Sequence, residues 1–232
     1  MTGTQRNLVP VSLPSGWDSD DNKFDLAHEA MIERMYRNGY VWFKGGSHSA
    51  AMRLKELLGE SLYVTHVKEN TQSKSLLAKK KSLAPHTDHH AVDFVLWYVH
   101  DHFEEGGETH LYPTQDIGST RSGYFRSLIS PLECKEHKIF ENDPGVWPVI
   151  QQVTNNSEKA LYRRESRDLW YYSFWLANPT SERQRKGFRL LQERIEQTIP
   201  LRGHLKKGDI FIFDNRLNLH ARTEYFDSRR HL

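Results

Sequence analysis

The stretch that decides the fold is HTDHHAVDFVLWYVHDHFEEGGETHLYP, residues 86–113. It holds two short runs rich in aromatic and β-branched residues, FVLWYV at 94–99 and THLYP at 109–113. A turn-forming EEGG segment, 104–107, lies between them. Two such runs separated by a glycine-containing turn predict neighbouring β-strands rather than helices.

The same pattern of short apolar runs separated by turns extends over residues 62–174. Short apolar or alternating runs, each bounded by turn-rich pieces, recur as LYVTHV, WPVIQQV and WYYSFWL. Near the end of the sequence, the continuously apolar run at 210–213 predicts a strand that is covered on both faces. Many short strands separated by turns predict an antiparallel barrel, sandwich or jelly roll.

Three helices are predicted around this β-rich part. Apolar residues at helical spacing indicate a helix that ends at Asn38-Gly39, and a second one at roughly 49–59. A longer helix begins after Ser181, a typical N-cap residue. Residues 1–22 read as an irregular arm and 23–232 as a single domain. We therefore predict a mainly β (α+β) protein with two N-terminal helices and one long helix packed outside.

Composition excludes several classes of protein. The 32 basic and 30 acidic residues give a net charge of +2, without the basic excess of a nucleic-acid binder. The single cysteine, Cys134, cannot form an intrachain disulfide, which suits a reducing compartment. No charged start followed by an apolar run marks a signal peptide, and no window of about 18 apolar residues marks a membrane span. We expect a cytoplasmic protein that acts on a small molecule, with no nucleic-acid or membrane partner.

The triplet His86-Thr87-Asp88 is the strongest candidate for a metal site. On a strand, side chains two residues apart project to the same face, so the imidazole and the carboxylate can bind one ion. A third ligand should come from another strand, and His220, which follows the buried run at 210–213, is the best candidate. Two histidines and one carboxylate are typical of non-haem Fe(II) oxygenases, although zinc also accepts them. An isolated His-x-Asp triplet is weak evidence for a metal site, so the assignment depends on the motifs elsewhere in the sequence.

That context resembles a known family. The motifs PHTD at 85–88, EGGETHLYP at 105–113 and GDIFIFDNRLNLHARTEYFDSRRHL at 208–232, with a helix leading into GYVWFKGG, are similar to the clavaminate synthase and taurine dioxygenase group of Fe(II)/2-oxoglutarate-dependent oxygenases. The resemblance spans residues 24–232. It implies a double-stranded β-helix (jelly-roll) core.

The resemblance also implies the site residues. It assigns the iron ligands to His86, Asp88 and His220, and no catalytic residue beyond them. Thr109 and Arg230 match the residues that hold the far carboxylate of 2-oxoglutarate. Arg229 is the alternative, because one residue of register turns a strand side chain to the other face.

The implied reaction is hydroxylation of an unactivated C–H bond in a small polar molecule, such as an amino acid or a natural-product intermediate. 2-Oxoglutarate and O2 are the cosubstrates, and succinate and CO2 are formed. Because the carboxylate of Asp88 is present, hydroxylation is expected rather than halogenation, while desaturation and cyclisation use the same ligands. The candidates for substrate contacts are His90, Arg121, Arg163 and Arg164. Arg121 lies in GSTRSG, 118–123, whose small residues would suit a lid.

Two other classes of protein are also compatible with the sequence. A non-catalytic, cupin-like metal-binding protein would keep the three ligands but would not need Thr109 and Arg230. A zinc hydrolase would need a general base, for which Glu108 is the candidate. The sequence does not indicate the substrate or the oligomeric state.

Overall fold

Helices and strands alternate along the chain, which we describe from a computed structural model over residues 6–67, 81–101, 106–118, 123–136, 145–152 and 168–225. The helices are α1 (Asp21–Asn38), α2 (His48–Leu58), α3 (Thr114–Gly118), α4 (Gly123–Ile129) and α5 (Glu182–Gln197). The strands are β1 (Arg6–Asn7), β2 (Tyr40–Phe43), β3 (Leu83–His86), β4 (Phe94–Tyr98), β5 (Thr109–Pro113), β6 (Glu133–Lys135), β7 (Val146–Pro148), β8 (Ile150–Gln152), β9 (Asp168–Trp170), β10 (Leu201–Gly203), β11 (Ile210–Asp214) and β12 (Asn218–Arg222). The chain therefore has a mixed α/β fold.

Two larger sheets form the centre of the described structure. One has the strand order β1-β10-β5-β12-β3 and the other the order β2-β11-β4. All of their pairings are antiparallel except that of β1 with β10. The sheets face each other, since the rings of Phe213 and Trp97 in the smaller sheet lie 5.0 and 5.6 Å from the ring of His220 in the larger one.

The helices pack where the apolar spacing predicts. Asp20 caps α1 by accepting the N–H groups of Asn22 and Lys23, and Gly39 ends the helix in the left-handed region with φ 71°. The buried side of α1 packs with α2 against the smaller sheet, through a core that includes Ala27, Met31, Leu54 and Ile212. Since α5 packs on α4, the long helix lies outside the two larger sheets, as the sequence predicts.

The strand predictions were confirmed for the opening stretch, where β4 and β5 form, and for β11, which is buried along its whole length. The prediction was wrong for LYVTHV, because residues 62–67 form no strand. Leu62, Tyr63 and Val64 are all exposed there, so this apolar run borders solvent instead of filling a sheet. The short helices α3 and α4 form within residues 62–174, where the sequence predicts only short strands separated by turns.

Within the segment predicted as an N-terminal arm, residues 6–20 are mostly irregular but lie against the rest of the described structure. β1 pairs with β10, and the ring of Trp17 is buried in the core beside Phe43. In the part of the chain that the structure describes, no helix has the length and apolar character needed to cross a membrane.

Candidate active site

Strand pairing brings together the two histidines that the sequence places 134 positions apart. His86 is the last residue of β3, and its Cα partner in β12 is His220. Residues directly opposite each other in an antiparallel pair project to the same face. The pairing shifts register after His220, at a β-bulge before Arg222. Asp88 follows His86 by two residues, just beyond the end of β3.

The three predicted ligands converge on one point. The Nε2 atoms of His86 and His220 lie 3.9 and 3.8 Å from Oδ1 of Asp88, and the two rings are 4.1 Å apart. The ligand atoms all lie within 4.8 Å of one another. Atoms that are each about 2.1 Å from a metal ion cannot be more than ~4.2 Å apart. These nitrogen–oxygen distances meet that limit and exceed a hydrogen bond, so the group suits a divalent ion.

The surroundings of both imidazoles are compatible with metal binding. Nδ1 of His86 lies 2.9 Å from the carbonyl of Ala84, so that nitrogen carries the proton and leaves the Nε2 lone pair for a metal. Burial, and then the neighbouring His86, hold the pKa of His220 well below its usual value. His220 is therefore neutral at pH 7, as a ligand must be.

The lowered pKa of His220 makes the stability of the metal-free protein depend on pH. Below about pH 6.5 the unfolded chain binds a proton that folded His220 does not, so stability is lost as the pH falls. We expect the free energy of unfolding to fall by ~1 kcal/mol per pH unit between pH 6.5 and 5.5 from this group. Urea unfolding of the metal-free protein, compared with His220→Gln, measures this contribution. Equal pH dependence of the two proteins would contradict it.

Asn215 holds the loop that carries Asp88. Its side-chain oxygen accepts the N–H of Asp88 at 2.7 Å, and its amide nitrogen donates to the carbonyls of Val92 and His89 at 2.8 and 3.4 Å. Asn215 is fully buried in the turn between β11 and β12. In that turn Asp214 accepts two backbone N–H groups, those of Arg216 and Leu217. The turn before His220 therefore also positions Asp88.

A second group of histidines lies beside the first and is built around Glu136. The carboxylate of Glu136 is fully buried, with Nε2 of His89 at 3.5 Å and Nε2 of His90 in direct contact. The ring of His90 stacks on that of Trp147 at 3.8 Å. Nδ1 of His89 accepts the N–H of Ala91, which leaves its proton on Nε2, directed at the carboxylate. Although these atoms are close enough to hold an ion, we interpret the group as two imidazoles paired electrostatically with a buried carboxylate.

Replacing Glu136 by glutamine tests this interpretation. The amide nitrogen would face N–H donors, so we expect a loss of about 1–3 kcal/mol in unfolding free energy. Denaturant unfolding measures the change. The matched control, Glu182→Gln, alters an exposed carboxylate in the first turn of α5 and should change the unfolding free energy by less than about 1 kcal/mol. Equal stability of Glu136→Gln and the wild type would contradict the interpretation.

Two aromatic side chains lie near the candidate metal ligands. The ring of Trp175 lies 5.0 Å from that of His86, and about a third of the tryptophan is exposed. Tyr63 is 47% exposed as a residue, yet desolvation of its hydroxyl, and then the charge of Asp88, raise the pKa of that hydroxyl to about 12. Sequence reasoning missed both, because each belongs to an apolar run that reads as a strand.

The remaining predicted contacts divide into two groups. Thr109 is buried on β5, and its neighbour at the next inward position, Leu111, pairs directly with His220. Outside the described residues lie Arg121, Arg163, Arg164, Arg229 and Arg230. Glu108, the candidate base of a zinc hydrolase, lies 2.8 Å from Nε2 of His110. His110 projects to the face of β5 opposite to that of Thr109. The carboxylate of Glu108 is therefore held away from the inner face, which disfavours its role as the general base of a zinc hydrolase.

Comparisons with known proteins agree with this geometry. A family model described as taurine catabolism dioxygenase TauD, TfdA family matches residues 15–232. No curated protein matches the sequence significantly.

Solved structures show the same fold at low identity. Asparagine oxygenase in complex with Fe(II), 2S,3S-3-hydroxyasparagine and succinate has a TM-score of 0.69 at 15% identity, over 90% of this chain and 79% of that one. PvcB of Pseudomonas aeruginosa has a TM-score of 0.63 at 13% identity, over 88% and 77%. OrfP in complex with Fe and alpha-ketoglutaric acid has a TM-score of 0.64 at 13% identity, over 94% and 78%.

Proposed function

From the premise that this chain belongs to the TauD, TfdA family and is a non-haem Fe(II)/2-oxoglutarate-dependent dioxygenase, we propose that it hydroxylates an unactivated C–H bond of an amino acid or a similar small polar molecule. The observation that carries the proposal is the convergence of His86, Asp88 and His220 on one point. Two imidazoles and one carboxylate on one side of an ion leave the opposite positions for cosubstrates.

The three side chains have separate parts in holding iron. His86 and His220 would offer Nε2 lone pairs, and Asp88 would offer Oδ1 and a negative charge that partly balances the ion. Asp88 is the most exposed of the three, with 22% of its side chain accessible, so the open side of the site lies towards it. When bound, iron with 2-oxoglutarate and O2 supplies the oxidising chemistry. The surrounding residues hold and orient these groups and limit the access of water.

The far carboxylate of 2-oxoglutarate is proposed to lie near Thr109. This threonine is buried and projects from β5 on the side of Leu111, which pairs with His220. Arg230, or Arg229 as the alternative, is proposed to contribute from the segment that follows β12. Arginine suits this role because its planar fork binds a carboxylate through two hydrogen bonds.

The two facing sheets are proposed to be the halves of a double-stranded β-helix. The antiparallel order β10-β5-β12-β3 and its packing against β11 and β4 support this assignment. In such a core the ligands project into the space between the sheets, where apolar rings such as that of Trp97 restrict water.

An amino acid is the proposed substrate class because of two kinds of support. The similar structures include an asparagine oxygenase with its hydroxylated amino acid and OrfP in complex with a dihydroxy-arginine. The site of this chain is bordered by Trp175 and by Tyr63, whose hydroxyl remains protonated at neutral pH and can donate a hydrogen bond. These residues are proposed to contact the substrate side chain. His90 contacts Glu136 within the protein and remains a weaker candidate.

An anaerobic titration of the protein with Fe(II) and 2-oxoglutarate tests the proposed function. We expect a visible metal-to-ligand charge-transfer band that saturates at one iron per chain. Addition of candidate amino acids should perturb the band, and admission of O2 should then form succinate and a product heavier by one oxygen. Products lighter by two hydrogens would instead indicate desaturation or cyclisation. Iron binding without any band would favour the cupin-like, non-catalytic alternative.

A further inference from the structure

A cavity of about 300 Å³ lies where α1 ends against the larger sheet. Its walls come from the last residues of α1, the junction of β5 with α3, β9 and the start of β12. Most of this lining is polar. None of the described lining residues belongs to the candidate iron site, so the cavity is a separate place that a small molecule can occupy.

Asn218, two residues before His220 on β12, contributes a buried hydrogen-bond acceptor to the wall of this cavity. The residue is 1% exposed, and its Nδ2 donates to the carbonyls of Gly39 and Asp214, each at 3.1 Å. Because both partners are acceptors, the nitrogen of the amide must face them, and Oδ1 lies on the other branch. Among the described residues, no donor contacts this oxygen. A buried acceptor without a donor is unfavourable, so a ligand that brings an N–H group to Oδ1 gains a hydrogen bond that the protein alone does not supply.

The end of α1 contributes partial negative charge to the cavity. Residues 37–39 line it, and the last carbonyls of a helix have no partners within the helix. The same end carries the negative pole of the helix dipole, which favours a cation. Thr114, which is buried at the start of α3, adds a hydroxyl that can also accept a hydrogen bond. The cavity therefore presents mainly acceptors to a ligand.

The charged side chains at the cavity agree with this preference. Asp168 lines it with a carboxylate side chain that is 25% exposed. This carboxylate accepts two hydrogen bonds from Arg126, each at 2.7 Å, which leaves further lone pairs on its oxygens. Among the described lining residues the only cation is Arg37, whose side chain is 69% exposed and lies 3.2 Å from Glu33. The charge of Arg37 is therefore hydrated and balanced, and it does not exclude a second cation.

We infer that this cavity binds the ammonium group of a small primary amine. An ammonium has three N–H donors and no acceptor, which matches Oδ1 of Asn218, the carboxylate of Asp168 and the carbonyls at the end of α1. The ammonium would give the buried Oδ1 its missing donor through a charge-assisted hydrogen bond. The volume lies at the lower end of the range for ligand pockets, about 300–1,000 Å³, so the amine has to be small. This site is additional to the proposed function and does not depend on it.

Three probes of equal chain length test the inference: butylammonium, butan-1-ol and butanoate. Calorimetric titration of the metal-free protein at neutral pH measures their dissociation constants. We expect one butylammonium per chain, bound at least ~10-fold more tightly than butan-1-ol or butanoate, because only the ammonium supplies charged N–H donors. Equal binding of butylammonium and butan-1-ol would overturn the inference, since the cavity would then not select a cation.

Variants test whether this binding takes place in the cavity. Gly118 ends α3 and lines the cavity, and a Cβ there would lie 3.9 Å from the ring of Trp170, so Gly118→Leu should be tolerated and fill part of the space. We expect Gly118→Leu and Asp168→Asn each to weaken butylammonium binding by at least ~10-fold. Asn218→Leu, which removes Oδ1, should do the same. It also removes the two hydrogen bonds that Nδ2 donates, so the other two variants decide the question where Asn218→Leu folds poorly.

The matched control is Glu182→Gln, which also removes a carboxylate paired with an arginine, but on α5 and outside the cavity. It should bind butylammonium as the wild type does. Wild-type affinity in both Gly118→Leu and Asp168→Asn would refute the site. An equal loss of affinity in the control would refute it too, because attraction by surface charge alone would then explain the binding.

Discussion

Replacing Asp88 by alanine is expected to abolish succinate formation coupled to substrate oxidation. The variant would keep the imidazoles of His86 and His220, but it would lose the single oxygen that lies 3.9 and 3.8 Å from their Nε2 atoms. A metal ion supplies several kcal/mol of catalysis, so the rate should fall by at least ~100-fold. Fe(II) binding, followed by the charge-transfer band, should weaken in parallel because two neutral ligands do not balance the charge of the ion.

The matched control for this variant is Asp93→Asn, which changes an exposed carboxylate on the same loop. We expect it to retain succinate formation and iron binding. Succinate release is measured with and without substrate, since uncoupled turnover would otherwise be mistaken for activity. Full coupled turnover by Asp88→Ala would remove this carboxylate from the metal site and with it the assignment of the three ligands.

Replacing Asn215 by alanine is expected to have the largest effect on stability. The change removes the acceptor of the Asp88 N–H and the donor to the carbonyls of Val92 and His89, all in a buried turn. Each buried backbone group left without a partner costs about 1–3 kcal/mol, so a total loss of at least ~3 kcal/mol is expected. Denaturant unfolding of the metal-free protein measures this loss.

The same variant should also weaken iron binding, because the loop that positions Asp88 is no longer tied to the turn before His220. A 10–100-fold weaker affinity is the usual effect of losing a group that orients a ligand. The control is Asn38→Ala at the exposed end of α1, which should change neither stability nor affinity appreciably. Unchanged iron affinity in a destabilised Asn215→Ala would restrict Asn215 to a structural role.

Local patterns were sufficient to predict much of the fold. The spacing of Phe24, Ala27, Met31 and Met35 predicts α1, and the continuous apolar run at 210–213 predicts a strand covered on both faces; the structure contains both. The same reasoning was wrong for residues 62–67, because an apolar run reads alike whether a sheet covers it or solvent borders it. Whether a neighbouring strand exists is not encoded within six residues.

The proximity of His86 and Asp88 was predicted from the period of a strand, which puts alternate residues on one face. In the structure β3 ends at His86, and the contact with Asn215 positions Asp88 instead. The position of His220 beside His86 and Asp88 depends on the pairing of β3 with β12. The sequence indicates this pairing only through the order of its motifs and their resemblance to the family. The carboxylate of Glu136 between two histidines, the ring of Trp175 beside His86 and the amide of Asn218 beside the end of α1 carry no local signal at all.

By itself, then, the sequence determined most of the secondary structure, the residue types proposed as metal ligands and the resemblance to the family. Only the tertiary structure decided which side chains share a face and which charges are buried together. The physical reason is that hydrophobic periodicity acts between residues a few positions apart, whereas the register of paired strands depends on contacts between segments more than a hundred positions apart.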